Sequence, residues 1–231
     1  MNLINKYSEY YENRDIKNLY PTEFVVRAFL GSNGIFKNIN NNKSNNVFRK
    51  SVLDLGFGDG RNIPFLSNLG MKVFGLEISQ KIVNNCKLFL ENNGFYPTLS
   101  VGTNEQTFFK ANSFDFVLGC HSIYYISKGK TFEDNVNEIF RILKKNGHLI
   151  FSIPDKSSYI VKNSKKLPDG YVSILNDPLK IRNGSIIKYF DSKNDIVDYF
   201  KPYSKEIKIG KCFNDWWGLN EHAWTVICSK K

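Results

Sequence analysis

The sequence predicts an α/β fold: a doubly wound, seven-stranded, mostly parallel sheet with an N-terminal helical cover. Two observations carry this. From Ser51 onward, short apolar runs alternate with longer stretches of helical periodicity, the pattern of repeated strand-helix units that build a parallel sheet. The first run, Val52-Leu-Asp-Leu55, is followed by glycines at alternate positions, Gly56, Gly58 and Gly60. Such glycines let the chain turn tightly and bring its backbone against a ligand where any side chain would collide.

Ahead of the sheet, Leu3, Tyr7, Tyr10 and Tyr11 recur at helical spacing, and Phe24, Val25, Ala28 and Phe29 do so after Pro21 at a helix start. Residues from about Leu3 to Leu30 therefore read as two helices. Gly31 to Arg49 turns polar and Asn-rich, the composition of a surface loop. Residues 1–50 are thus cover and loop, and 51–231 the sheet domain.

Within that domain the expected order is strand Val52 to Leu55, helix Arg61 to Leu69, strand Lys72 to Leu76, and a helix from Ser79 to about Asn92 stopped by Gly94. Strands Thr98 to Val101 and Phe114 to Cys120 follow. Phe132, Val136, Ile139, Phe140 and Leu143 share one face of a helix over Thr131 to Lys144, which packs on the sheet ahead of strand Gly147 to Ile153. Asp155 to Ser185 is polar and rich in turn residues, so an acceptor-binding lid or loop is expected at about 154–190. A capped helix over Asp191 to Phe200 and strands Glu206 to Ile209 and Trp224 to Cys228 complete the domain.

Composition narrows the classes of function. The chain has 231 residues, 42% of them hydrophobic, enough for one substantial core. No apolar run approaches the ~20 residues that span a bilayer, and the N-terminus is too polar for a secretory signal, so a cytoplasmic protein without membrane insertion is expected. The four cysteines, Cys86, Cys120, Cys212 and Cys228, are scattered without metal-ligand spacing. Neither a disulfide framework nor a metal site is indicated. The net charge of +10 fits an anionic partner or an Asn-, Lys- and Ile-rich composition; of the two anionic partners, a small acceptor is favoured over nucleic acid.

The ligand is narrowed by spacing. A dinucleotide turn reads G-x-G-x-x-G, whereas this chain reads Asp54-x-Gly56-x-Gly58-x-Gly60 and has Arg61 where the third small residue would stand. Asp54 and Asp59 bring negative charge to the turn, which suits a cation such as the amino group and sulfonium of S-adenosylmethionine better than a diphosphate. Glu77, ending the second strand, is placed to accept from both ribose hydroxyls.

These residues resemble the class I S-adenosylmethionine-dependent methyltransferases. The likeness runs from Ser51 to Ile153 and includes Gly102-Thr-Asn104 after strand three, Asn112-Ser-Phe-Asp115 entering strand four and Leu143-Lys-Lys-Asn-Gly147 before strand five. It implies S-adenosylmethionine as cofactor, held by Asp54, Gly56, Gly58, Gly60, Asn62, Glu77, Ile78, Thr103, Asn104 and Cys120. Thr103 stands where the family often has a carboxylate for the adenine amino group, and a hydroxyl accepts that bond more weakly; Thr103 and Asn104 can equally form only a turn. Gly119-Cys-His-Ser-Ile-Tyr-Tyr-Ile126 resembles the small-molecule branch, and the Asn/Asp-Pro-Pro-aromatic tetrad of base-methylating relatives is missing.

A sulfonium already activates its methyl, so the protein has to hold an acceptor atom in line and, for oxygen, remove a proton. His148, in strand five, reads as structural. His121, at the carboxyl end of strand four, reads either as that base or as packing against the cofactor. His222, among the aromatics of Trp216 to Trp224, belongs either to the catalytic machinery or to a hydrophobic plug. Tyr7, Tyr11, Tyr124, Tyr125 and Trp216 are candidate acceptor-pocket residues, and Arg27 reaches an anionic group or forms a surface ion pair. The expected activity is methyl transfer to a small anionic or sugar-linked metabolite at oxygen. The alternatives are an RNA methyltransferase and a non-catalytic binding subunit.

Overall fold

A computed structural model describes residues 9–10, 19–35 and 47–231. Most of the first expected helix, with Tyr7 and Tyr11, and most of the Asn-rich loop lie outside the described residues. The chain from Glu23 runs α1 (Glu23–Leu30), β1 (Ser51–Leu55), α2 (Ile63–Asn68), β2 (Lys72–Glu77), α3 (Gln80–Asn92), β3 (Thr98–Val101), β4 (Phe114–Gly119) and β5 (Tyr125–Ile126). It continues with α4 (Phe132–Ile142), β6 (Leu143–Pro154), α5 (Tyr159–Lys162), β7 (Ser164–Leu167), β8 (Tyr171–Ile174), β9 (Ile186–Lys188), α6 (Lys193–Phe200), β10 (Ser204–Trp216) and β11 (Leu219–Lys230).

The main sheet has seven strands in the order β10-β11-β6-β4-β1-β2-β3. From β6 to β3 every neighbour is parallel, whereas β11 pairs antiparallel with both β6 and β10. Chain order departs in opposite directions from β1, toward β2 on one side and β4 on the other. The crevice outside the carboxyl ends of β1 and β4 is therefore the switch point where such sheets bind ligands.

Side-chain alternation along the buried strands divides the core between two faces. Phe116, Leu118 and Ile150 point toward Val25 and Phe29 of α1, Ile63 and Leu66 of α2 and Ile82 and Leu90 of α3. Their neighbours Val117, Leu149 and Phe151 point the other way, toward Phe132, Val136, Ile139 and Phe140 of α4 and Phe200 of α6. The capping boxes of Thr131 with Asp134 and Ser192 with Asp195 start α4 and α6, each side chain satisfying an orphan amide of the first turn.

Three boundaries differ from expectation. Helix α4 stops at Ile142, because Leu143 already pairs with Phe114 as β6 begins. The last two strands are far longer than their apolar centres and form one hairpin, closed by Trp217 and Gly218 at φ +52° and +93°, the left-handed pair that a two-residue hairpin turn requires. The third concerns the segment after Pro154. It carries β7, β8 and β9, which join β5 in a four-stranded antiparallel sheet of order β5-β9-β8-β7. Val172, Ile174 and Ile187 are its buried residues. Strands of two to four residues are too short for periodicity to announce them.

Among the described residues no helix is long and apolar enough to cross a membrane. None of their His, Cys, Asp and Glu side chains form a group of three or more suited to a metal ion.

Candidate active site

The turn after β1 is held by its glycines. Gly56, at φ +70°, donates its N–H to the Leu76 carbonyl at 2.8 Å, and a Cβ added there would lie 2.5 Å from Ser122 Cβ in the loop after β4. At Gly60 an added Cβ would lie 2.5 Å from Cys86 Sγ on α3. These glycines thus bring β1, the β4 loop and α3 together at the switch point. Gly58 donates its N–H to Glu77 Oε1 at 3.0 Å, and Ile78 donates to Glu77 Oε2 at 2.8 Å. Burial pushes Glu77 up, and the two amides draw it back toward the ionised form. Each oxygen keeps a second lone pair for an incoming hydroxyl.

Asp54 is the decisive residue. It is fully buried, and neither carboxylate oxygen has a hydrogen-bond partner. Desolvation first, then the charges of Glu77 and Asp59, push it up to about 8. A buried carboxyl without a partner costs folding free energy, so the site is built for a cationic, hydrogen-bonding ligand. The chemistry of these residues fits S-adenosylmethionine, which carries a cationic amino group suited to an unpartnered buried carboxyl such as Asp54 and vicinal hydroxyls suited to the open lone pairs of Glu77. Arg61 lies 3.7 Å from Asp59 and balances its charge.

Helix α1 closes over this turn. Thr22, its N-cap, donates its N–H to Asn62 Oδ1 at 3.0 Å, and Thr22 Oγ1 lies 3.4 Å from Cys120 Sγ. Asn62 and Cys120, placed in the cofactor site by resemblance, therefore also anchor the helical cover. Burial pushes the Cys120 thiol up to about 12, so it stays a neutral packing group. After β3, Thr103 forms a tight backbone pair with Gln106, and Asn104 Nδ2 donates to the Ser122 carbonyl at 3.1 Å and the Tyr125 carbonyl at 3.4 Å.

The loop after β4 is clamped from several directions. Asn135, fully buried on α4, donates to the Ile123 and Tyr125 carbonyls, each at 2.9 Å, and Ser122 Oγ donates to the Leu55 carbonyl. His121 sits in the left-handed region at φ +57°, its N–H donating to Ser152 Oγ at 2.9 Å and its ring edge-on to Phe24 of α1. A non-glycine residue in that conformation costs free energy, and such strain concentrates at functional sites. Burial lowers the His121 pKa; Arg61 and Arg182 push it the same way, against Glu221. Neutral imidazole is thus the resting form. Tyr124 and Tyr125 stack with ring centroids 4.9 Å apart, and burial raises both phenols.

Other expected residues are placed differently. Arg27 faces solvent in an i,i+4 pair with Glu23, both side chains about three-quarters exposed (75% and 77%). It turns away because Val25, Ala28 and Phe29 take the buried face of α1. His222 lies within β11, its Nδ1 2.8 Å from Ser157 Oγ and its ring against Phe213. Strand alternation aims it to the face opposite Glu221, the neighbour whose charge reaches His121. Trp216 stands at the hairpin tip, 49% exposed, with Nε1 donating to Glu221 Oε2 at 3.2 Å. It is a rim residue, neither plug nor enclosed wall. His148 stacks on Phe116.

Sequence reasoning missed Tyr159, Asp177, Arg182 and Glu221. The first three come from the segment after Pro154, whose turn-rich composition gave no sign that a buried ion pair forms there. Arg182 Nη2 lies 2.5 Å from Asp177 Oδ1 and 2.6 Å from the Tyr159 hydroxyl. Glu221 lay unremarked inside the aromatic run.

The family described as "Methyltransferase domain" matches residues 53–151. In structure the chain is similar to a Pyrococcus horikoshii protein at 19% identity and TM-score 0.64, covering 96% of this chain and 99% of that one. It is also similar to an S-adenosylmethionine-dependent methyltransferase from Methanosarcina mazei at 17% identity and TM-score 0.60, covering 79% and 92%. A third similar structure, a possible histamine N-methyltransferase from Thermotoga maritima, shares 22% identity and a TM-score of 0.54 over 79% and 83%. At these identities the likeness is one of fold. No curated protein matches the sequence.

Proposed function

We propose, from the premise that residues 53–151 form a class I S-adenosylmethionine-dependent methyltransferase domain, that this enzyme methylates a small metabolite at oxygen, with an anionic or sugar-linked molecule the favoured class. The observation that carries the proposal is the placement of His121. It follows the strand end at the switch point, strained, anchored through its amide and uncharged at rest.

When bound, S-adenosylmethionine supplies an activated methyl electrophile. Asp54 and Glu77 would hold and orient it, and the close approach of Gly56 to Ser122 sets the loop after β4 against the glycine turn. His121 accepts the hydroxyl proton as the acceptor oxygen attacks. Glu221 stabilises the resulting imidazolium, since its charge raises the basicity of that ring. Tyr124, Tyr125 and the lid exclude water from the acceptor side. Because the lid is a folded sheet and the base-holding tetrad is missing, a small acceptor suits this pocket better than a flipped base.

The test is incubation of the enzyme with a metabolite extract, a total RNA fraction and methyl-labelled S-adenosylmethionine. Label in a dialysable product, on oxygen by fragmentation, supports the proposal. Label confined to RNA, or on nitrogen or carbon, overturns it.

A further inference from the structure

We infer that Arg182, with the phenols of Tyr159 and Tyr125, is the anchor for an oxyanion group of the acceptor, a carboxylate or phosphate ester, at the end of the pocket away from its reacting hydroxyl. The inference rests on the proposed small-molecule O-methylation and names the chemistry its acceptor carries.

The guanidinium is built into the lid. Arg182 Nε and Nη2 donate to Asp177 Oδ1 at 3.0 and 2.5 Å, while the backbone amides of Ile181 and Arg182 each donate to Asp177 Oδ2 at 3.0 Å. The Asp177 side chain is fully buried and that of Arg182 is 17% exposed. Such a residue is held in one orientation rather than sampling solvent.

Its remaining donors turn toward the site. Nη2 also donates to the Tyr159 hydroxyl at 2.6 Å, and the guanidinium charge works against the burial that raises the Tyr125 phenol. A guanidinium has five N–H groups; two serve Asp177 and one serves Tyr159, which leaves the two on Nη1 without a partner among the described residues. A phenol that accepts from arginine still has its own proton to donate. The cluster therefore presents N–H and O–H donors together, the arrangement that recognises carboxylate or phosphate oxygens.

Its position fits this use. Ser185 donates its N–H to the Arg182 carbonyl at 3.0 Å, and the strand that follows pairs Ile187 with Tyr125 and donates the Lys188 N–H to the Tyr124 carbonyl at 2.9 Å, so the cluster lies beside the loop after β4 that carries His121, on which the Arg182 charge acts. Asp177 cancels the formal charge of Arg182, and Glu221, which accepts from Trp216 Nε1, is the carboxylate whose charge reaches His121. Glu221 serves the His121 end, where a proton arrives; the donor-rich Arg182 end takes the oxyanion. The pocket is thus polarised, and an acceptor carrying a hydroxyl at one end and an oxyanion at the other matches it. Arg27 cannot fill this role, since it faces solvent.

The test measures binding of matched probes to the full chain saturated with S-adenosylhomocysteine: 3-hydroxybenzoate against 3-hydroxybenzamide, and glycerol 3-phosphate against glycerol. In the wild type, at least one anionic member should bind about tenfold tighter than its neutral partner. In Arg182→Met that preference should fall to about twofold or less, with S-adenosylhomocysteine affinity unchanged. Tyr159→Phe keeps the Arg182–Asp177 pair and should lose only part of the preference, which covers the case in which Arg182→Met fails to fold. Equal binding of charged and neutral members, no binding of any probe, or a preference that survives Arg182→Met or is untouched by Tyr159→Phe would overturn the assignment. Label on a neutral hydroxylated metabolite in the extract assay would sink this inference while leaving O-methylation standing.

Discussion

Replacing Asp54 with Asn should stabilise the cofactor-free enzyme while crippling cofactor binding. Asp54 ordinarily titrates at 3.8 and is held at about 8 in the folded chain. Because the folded value is the higher, stability is greatest below pH 3.8 and is lost progressively as pH rises to about 8, beyond which the loss is complete. At ~1.4 kcal/mol per pH unit the interval corresponds to roughly 6 kcal/mol, an upper bound that local relaxation reduces. Asn removes the charge and keeps the shape. The variant should melt on the order of 10 °C higher than wild type at pH 8, with the difference shrinking toward pH 5. Thermal denaturation across that range reads the effect. Calorimetry in buffers of different ionisation enthalpy reads its counterpart: wild type should release a proton near pH 7 on binding S-adenosylmethionine, and the variant should not. Superimposable melting curves, or equal proton release, would refute the assignment of Asp54 as the carboxyl awaiting a cation.

Glu77→Ala should weaken S-adenosylmethionine binding at least tenfold, about 1.4 kcal/mol or more; unchanged affinity in a titration would exclude it as ribose ligand. Gly56→Ala forces both the left-handed φ of +70° and an approach of 2.5 Å to Ser122 Cβ, so it should lower stability by ~1–3 kcal/mol and abolish turnover. A fully active, equally stable variant would contradict the close contact between turn and acceptor loop. His121→Ala should slow turnover roughly 100-fold and leave cofactor affinity intact. Because Glu221 raises the pKa of His121, Glu221→Gln should move the acidic limb of the rate profile to lower pH; a profile that stays put would detach Glu221 from the base.

The glycine turn and its contact with Glu77 were legible because local sequence determines them. A strand, a turn needing glycine and an acid at the next strand end lie within Val52 to Glu77, and β1 and β2 pair directly. The sheet was equally legible from Ser51 to Ile153, where runs of strand length alternate with helices. What could not be read depends on contacts distant in sequence. Arg182 meets Tyr159 from 23 residues away, and Glu221 acts on His121 a hundred residues away (221 − 121 = 100). Neither pairing leaves a periodic trace. Arg27 shows the converse: its residue type left an anionic ligand and a surface ion pair both open, and the helix, giving its buried face to Val25, Ala28 and Phe29, turns Arg27 outward to pair with Glu23.

A crystal structure of the chain with S-adenosylhomocysteine tests the central claim most directly. The account places the ribose hydroxyls on Glu77, the ammonium toward Asp54 and the sulfur facing His121. Electron density for the ligand elsewhere, for instance in the groove between Ser67 and Thr98 at the opposite edge of the sheet, would contradict it.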